Sequence, residues 1–329
     1  MYDYLIISEG VTANFFGVPR APEYSMPLYR RTQALALRDK VFAVLEEAAV
    51  NGQDRDLRIV EVGGATGVEM AGALTELRDN DLHVTYPELT PARVQVTLVE
   101  HQPFLLAPFH PKLREYARRS LQRRCVDLRL DTPVKQVLPD GVIIGDQVFL
   151  PADIVVWASG VRVNDQVARW NVPQGRGGRI ITDDHLRVAG LNGVFAVGDI
   201  AVEGGDRALP QPARQGGTYV AAQLKAMLAG SQVTSFEYHD KGTLATIGRN
   251  SAVAQIKRLP RLTGCPRLGH PDRRSRVLPA GQPQSVRHDA QLDRQVPVLA
   301  SQPQRDRRRN PDHLPGSGGT PRPCTPSPT

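Results

Sequence analysis

An α/β fold carried by a parallel sheet is what this sequence predicts, on three observations. A strand, a glycine turn, a helix and a second strand follow one another between residues 58 and 99, an order that pairs two strands in parallel through a right-handed crossover. Two short apolar runs, residues 4–7 and 153–157, each stop at a small-residue turn, Ser8-Glu9-Gly10 and Ala158-Ser159-Gly160, an echo that suggests two related sheet domains. From residue 265 onward Pro, Arg, Gln and Ser dominate and Phe, Trp and Tyr are absent, so that stretch cannot bury enough apolar surface to offset chain entropy.

The elements follow in order. Residues 4–7 read as a buried strand. Residues 29–49 carry Leu35, Leu37, Val41, Val44, Leu45 and Ala48 at helical spacing with no internal Gly or Pro, a helix that links or braces the domains. Residues 58–62 give a strand, 67–77 a helix with Met70, Ala73, Leu74 and Leu77 on one face, and 94–99 the next strand. A helix starts at Pro111, whose fixed φ suits the first helical position, and runs through Leu121. Ile143 and Ile144 with Val148 and Phe149 form a strand, and 153–157 completes the domain. Residues 194–197 are a further buried strand ended by Gly198-Asp199, with a helix over 215–228 behind it. Residues 236–256 read as two short strands around Lys241-Gly242.

At 329 residues and 40% apolar content the chain is long enough for two ordinary domains. The formal charge of +7 invites a nucleic-acid reading, but thirteen Arg and one Lys against five Asp fall in residues 257–329, leaving the rest slightly acidic. Arg307-Arg308-Arg309 could attract phosphates, yet without interleaved aromatics it offers no stacking platform, so an inert tail is favoured and no nucleic-acid partner is expected. Cys125, Cys265 and Cys324 lie far apart and form no C-x-x-C, so neither a disulfide framework nor a zinc site is expected, and a cytoplasmic location is the default. The histidines show no i, i+4 pairing that would suggest a metal, and no G-x-S-x-G elbow supports a hydrolase. No segment has the roughly 18–20 uninterrupted apolar residues of a spanning helix, so any membrane contact is expected to be peripheral.

The chemistry-bearing motif is Val62-Gly63-Gly64-Ala65-Thr66-Gly67, between strand and helix. A glycine turn there lets a pyrophosphate approach the backbone, and the helix start offers free N–H groups and positive dipole. Counting back from Gly67 as the third glycine of G-x-G-x-x-G puts Gly64 second and Val62 first, so the fingerprint is incomplete or one residue short. Val62 is then expected to strain the turn if that position needs positive φ. Glu100 ends the next strand, where a carboxylate accepts from adenosine ribose hydroxyls and repels a 2′-phosphate, favouring NADH over NADPH. The plainer alternative, glycines ending a strand for steric reasons, stays open.

At residues 58–77, 96–100, 193–200 and 240–250 the sequence resembles type II NADH dehydrogenases, single-chain flavoproteins that pass electrons from NADH through FAD to quinone; the resemblance covers most of residues 1–262. It implies an α/β fold in which a Rossmann-like NADH-binding domain (56–160) is inserted in a partial FAD-binding domain (1–55 with the linking helix, and 161–230), followed by partial C-terminal strands (231–264) and a disordered tail (265–329). Gly63, Gly64, Gly67 and Glu100 would bind NADH. Gly198 and Asp199 resemble the second flavin-binding motif of the wider class, and Ser159-Gly160 and Gly10 its two strand ends. Glu69 matches a glutamate near nicotinamide and flavin, Lys241 one near the flavin and quinone pocket, and Gln215 part of the quinone-side segment. A first-turn acid, a solvated hairpin lysine and a helix N-cap are the respective alternatives.

The sequence departs from that family in three places. The family's own N-terminal FAD fingerprint has no counterpart, so half of the FAD site is expected to be missing. Past Leu262-Thr263-Gly264, apolar membrane-docking segments are replaced by the Arg/Pro-rich stretch, which we read as a shifted reading frame. Val62 is the third departure. Two alternatives to the oxidoreductase therefore stay open, a catalytically inactive NADH-binding remnant and a soluble ferredoxin- or disulfide-reductase relative. Homodimer formation is likewise open.

Overall fold

The computed structural model describes residues 2–51, 56–202, 210–249, 251–257 and 260–264. The expected disordered tail at 265–329 lies outside the described residues. β1 (Leu5–Ile7) and β2 (Val11–Ala13) flank the turn at Gly10. α1 (Ala21–Tyr24) and β3 (Met26–Pro27) lead into α2 (Arg31–Val50), which turns Leu37, Val41, Val44, Leu45 and Ala48 inward. Gln33 fixes the entry to α2, its Oε1 accepting from the backbone N–H groups of Tyr29 at 2.9 Å and Arg30 at 2.7 Å. β4 (Leu57–Val62) runs straight into α3 (Gly64–Glu76), and α4 (Leu82–Thr85) brings the chain back to β5 (Val94–Val99). α5 (Pro111–Arg123) and β6 (Val126–Arg129) repeat the crossover.

A meander of β7 (Val134–Leu138), β8 (Gly141–Ile144) and β9 (Val148–Pro151) returns the chain to β10 (Ile154–Trp157). Then come β11 (Val161–Val163), β12 (Ile180–Ile181), β13 (Val194–Ala196), β14 (Ala201–Val202) and α6 (Pro210–Leu228). β15 (Thr243–Thr246), β16 (Ala252–Gln255) and β17 (Leu262–Gly264) close the described chain.

The organising layer is a five-stranded parallel sheet in the order β3-β10-β4-β5-β6. Its strands are apolar because both faces are covered. One face packs α2, α3 and α5 through Leu45, Ile59, Val68, Leu98 and Leu113; the other packs the meander through Val60, Val62, Val142 and Trp157. β1 pairs in parallel with β13, β2 with β11 in an antiparallel ribbon, and β15-β16-β17 form an antiparallel sheet against α3 and α5. Among the described residues no helix is long and apolar enough to cross a membrane.

Several expectations are corrected. α3 begins at Gly64 rather than 67, and its buried positions are Val68, Ala71, Leu74 and Thr75, whereas Ala73 is exposed. The run at 143–149 is two antiparallel strands, preceded by β7, which the apolar pattern does not single out. α6 starts at Pro210, so Gln215 lies inside the helix and caps nothing. No strand covers 236–242; the hairpin turn between β15 and β16 lies around Gly248, not at Lys241-Gly242.

The contact of α3 with the C-terminal sheet depends on one missing side chain. A Cβ on Gly72 would stand 2.6 Å from the Gly248 backbone nitrogen and 2.7 Å from the Ile247 carbonyl carbon. Gly→Ala inside a helix ordinarily gains roughly 0.5–1 kcal/mol, but forcing a methyl into packed backbone costs about 1–3 kcal/mol. Gly72→Ala is therefore expected to destabilise the fold by about 1–2 kcal/mol, read as a lower midpoint in denaturant.

One fully buried ionisable residue breaks the apolar pattern of the central strands. Leu57 and Ile59 of β4 face the helices and Val60 and Val62 face the meander, so alternation turns Glu61 toward the helices beside α3. Its exposure is 0%, and neither carboxyl oxygen has a hydrogen-bond partner. Burial pushes its pKa well above the ordinary carboxylate value, because the charged form is desolvated there.

Candidate functional site

The C-terminal ends of β4, β5 and β10 converge on the glycine turn. In β4 the chain is extended up to Val62; Gly63, at φ 60°, is the N-cap of α3, and Gly64, at φ 76°, is its first residue. The positive φ angles thus fall on the two glycines and not on Val62, which removes the strain expected there. The Gly63 N–H donates to the Val99 carbonyl at 2.9 Å, tying the turn to β5. A Cβ on Gly64 would lie 2.9 Å from the Ala158 carbonyl oxygen, and one on Gly67 would lie 3.2 Å from Leu98 Cδ1. Glycine at these positions lets the helix start sit on the mouth of the sheet.

The N-cap residue of α3, Gly63, has no side chain with which to cap the first turn. The positive end of the helix dipole lies at this turn and favours an anion there, a place that the Glu100 carboxylate now takes at the Gly64 N–H. Glu100 stands opposite. Its Oε2 accepts from the Gly64 N–H at 3.0 Å and its Oε1 from the Gln102 N–H at 2.9 Å. A Cβ on Gly63 would sit 3.1 Å from Ser159 Oγ and 3.6 Å from Glu100 Oε2, so Gly63, Ser159 and Glu100 line one crevice. A helix start without a side chain at its N-cap, close backbone approach and an acid at the end of the next strand suit a dinucleotide diphosphate with its ribose.

A second crevice forms where β1 and β13 end. Their parallel register pairs Ile7 with Ala196, so Gly10 and Gly198-Asp199 emerge on the same side. Gly198 has φ 81° and packs against Ala213 of α6. Asp199 Oδ2 accepts from the Tyr29 hydroxyl at 2.8 Å. A carboxylate has room for about four such bonds, so capacity remains for the hydroxyls of a polyol. Among the described residues this donor set fits the ribityl and pyrophosphate region of a flavin dinucleotide, the glycine leaving space and Asp199 accepting. Gly160 does not join this crevice: at φ 67° it lies under the Phe16 ring, and its carbonyl accepts from Asn14 in the turn after β2.

The three residues expected at the redox centre lie along one stretch of chain, Glu69 on Thr246 and Gln215 on His239, two residues before Lys241. Glu69, one turn into α3, accepts from both the N–H and the hydroxyl of Thr246 at 3.1 Å, which locks α3 to the end of β15. Lys241 lies exposed beyond the opposite end of β15, five residues or about 16 Å of extended chain from Thr246. Gln215 uses both ends of its amide on the backbone of His239, at 2.9 and 3.0 Å, so it fixes the segment that carries Lys241. Glu76 adds a second tie, accepting from the Arg249 N–H at 2.5 Å and pairing with Arg124 at 3.3 Å.

Sequence reasoning misses Tyr29, Thr246 and Glu61. Tyr29 and Asp199 are 170 residues apart, beyond any local pattern. Glu61 leaves a readable sign, a lone acid inside the apolar run Arg58-Ile59-Val60-Glu61-Val62.

The pattern of the family described as pyridine nucleotide-disulphide oxidoreductase matches residues 1–233. A type II NADH:quinone oxidoreductase of Mycobacterium tuberculosis is 33% identical over 276 residues, covering 78% of this chain and 59% of the relative. A type II NADH:quinone oxidoreductase of Staphylococcus haemolyticus is 32% identical over 268 residues, covering 78% and 66%. The chain thus spans about three fifths to two thirds of the length of these curated relatives. Among solved structures, NDH2 of Plasmodium falciparum in complex with NADH superposes with a TM-score of 0.74 at 19% identity, over 80% of this chain and 71% of that one, a likeness of fold.

Proposed function

The chain belongs to the pyridine nucleotide-disulphide oxidoreductase family, and from that premise we propose that it is a flavin-dependent NADH dehydrogenase-like oxidoreductase whose electron acceptor is a quinone. The observation that carries the proposal is the glycine-capped start of α3, framed by Gly63, Gly64 and Gly67, with Glu100 on its first N–H. The names of the M. tuberculosis and S. haemolyticus relatives support the choice of NADH and quinone.

In this reading the backbone amides of α3 hold the pyrophosphate of NADH, and Glu100 turns from Gly64 to the adenosine ribose hydroxyls. Its negative charge disfavours a 2′-phosphate, which selects NADH over NADPH. Gly198 and Asp199 hold the flavin where β13 ends, with Gly10 leaving room at the end of β1. FAD, when bound, would supply the acceptor for the nicotinamide hydride and the route to quinone. Glu69, anchored on Thr246, fixes the first turns of α3, and Gln215 holds the strand approach that presents Lys241 to the quinone side. A quinone acceptor implies a membrane surface, and we extend the proposal to peripheral attachment at its cytoplasmic face.

Purified protein incubated with FAD tests this directly. A flavin absorption band that NADH bleaches and a soluble quinone restores is the expected result. A protein that binds NADH but never shows a bleachable flavin band would instead be a nucleotide-binding remnant. Glu100→Gln is expected to narrow the NADH-over-NADPH preference by about tenfold, since a like-charge repulsion near 1.4 kcal/mol is removed; the ratio of the two dissociation constants checks it.

A further inference from the structure

The loop between β3 and α2 delivers one side chain to the second crevice. Tyr29 is followed by Arg30 and the first turn of α2, and Gln33 pins the backbone of both. The tyrosine ring is thereby directed across to Asp199, which it meets at 2.8 Å. The phenol oxygen therefore stands at the end of β13, on the carboxylate assigned above to the flavin.

We propose that Tyr29 is a flavin-positioning residue: its hydroxyl holds the Asp199 carboxylate in the orientation in which its remaining acceptor capacity faces the hydroxyls of the cofactor's polyol chain. The inference rests on the functional reading above and deepens it. A short carboxylate side chain at the start of a tight turn has two rotatable bonds, and without a fixed partner it samples orientations that point away from the cofactor. The tyrosine is a suitable anchor because it stays a donor. Burial first, and then the hydrogen bond to Asp199 and the charge of that carboxylate, push its pKa up to about 12, so it keeps its proton across the range in which the protein would work.

The test uses the full-length protein and FAD itself as the probe, with affinity read from the quenching of flavin fluorescence. Tyr29→Phe keeps the ring and removes the hydroxyl; it is expected to weaken FAD binding about tenfold, near the lower end of the size of one hydrogen bond to a charged group. The melting temperature of the flavin-free protein should stay unchanged. In an Asp199→Ala background, Tyr29→Phe should have no further effect, because the hydroxyl acts through that carboxylate. Equal FAD affinity of wild type and Tyr29→Phe overturns the positioning role, as does tighter binding by the variant, which would mean that the hydroxyl competes with the cofactor. An undiminished effect in the Asp199→Ala background overturns it too. Absence of FAD binding by the wild type has a different signature: it overturns the flavin assignment itself, and the positioning role with it.

Discussion

Glu61→Leu raises the stability of the fold, against the usual direction of core substitutions. The wild-type carboxyl has no exposure and no partner for either oxygen. A buried polar group left unsatisfied costs about 1–3 kcal/mol, and more when it is charged. Leucine in its place keeps the volume and meets the apolar neighbours of the helix face, Ile59, Val68 and Leu98. An increase of roughly 2 kcal/mol is expected, or about 3 °C in Tm for a protein of this size.

The pH dependence separates this account from simple repacking. In the unfolded chain Glu61 ionises in the ordinary carboxylate range, near 4.3, whereas burial holds the folded-state value well above it. The folded state thus keeps a proton that the unfolded state releases. Stability from this group is full below the unfolded pKa and is lost as pH rises toward the folded one. Chemical denaturation at pH 5 and pH 8 should show the Glu61→Leu gain growing with pH, and Glu61→Gln should remove the same slope. A gain independent of pH would mean that the carboxyl finds a partner in solution.

Gly64→Val should cost more in binding than in folding. Gly64 stands at φ 76°, and a Cβ there meets the Ala158 carbonyl oxygen at 2.9 Å. Valine is a poor fit to that backbone, with strain of about 1–3 kcal/mol. If the turn relaxes to negative φ, the Gly64 N–H that now meets Glu100 swings away from the site. NADH affinity is expected to fall by roughly 100-fold, corresponding to about 3 kcal/mol. Fluorescence titration gives the affinity, and a circular dichroism spectrum like that of the wild type shows that the sheet survives.

Much of this architecture is legible in the amino-acid sequence. The strand at 58–62, the strand at 94–99, the helix from Pro111 and the run at 153–157 are long or strongly apolar, and a doubly covered parallel sheet demands that composition. Glu100 is legible because it follows the last apolar residue of β5. The rest is hidden for physical reasons. β7 reads Val-Lys-Gln-Val-Leu, half polar because only part of it faces the core, so periodicity alone does not separate it from a loop. The Gly248 turn reads as strand because its neighbours Ile247 and Val253 are buried, and only the packing of Gly72 against it shows where the chain reverses. Counting glycines along the sequence misjudges Val62, whereas the backbone places positive φ on Gly63 and Gly64. Ties such as Tyr29 to Asp199 and Glu69 to Thr246 join residues 170 and 177 positions apart, and no local pattern encodes them.

Calorimetric titration of the full chain, first with NADH and then with NADPH, probes the α3 crevice most directly. Saturable NADH binding, with NADPH weaker by about tenfold or more, is the outcome required if the helix amides hold the diphosphate while Glu100 faces the ribose. No saturable heat with NADH, or equal affinity for the two nucleotides, would contradict it.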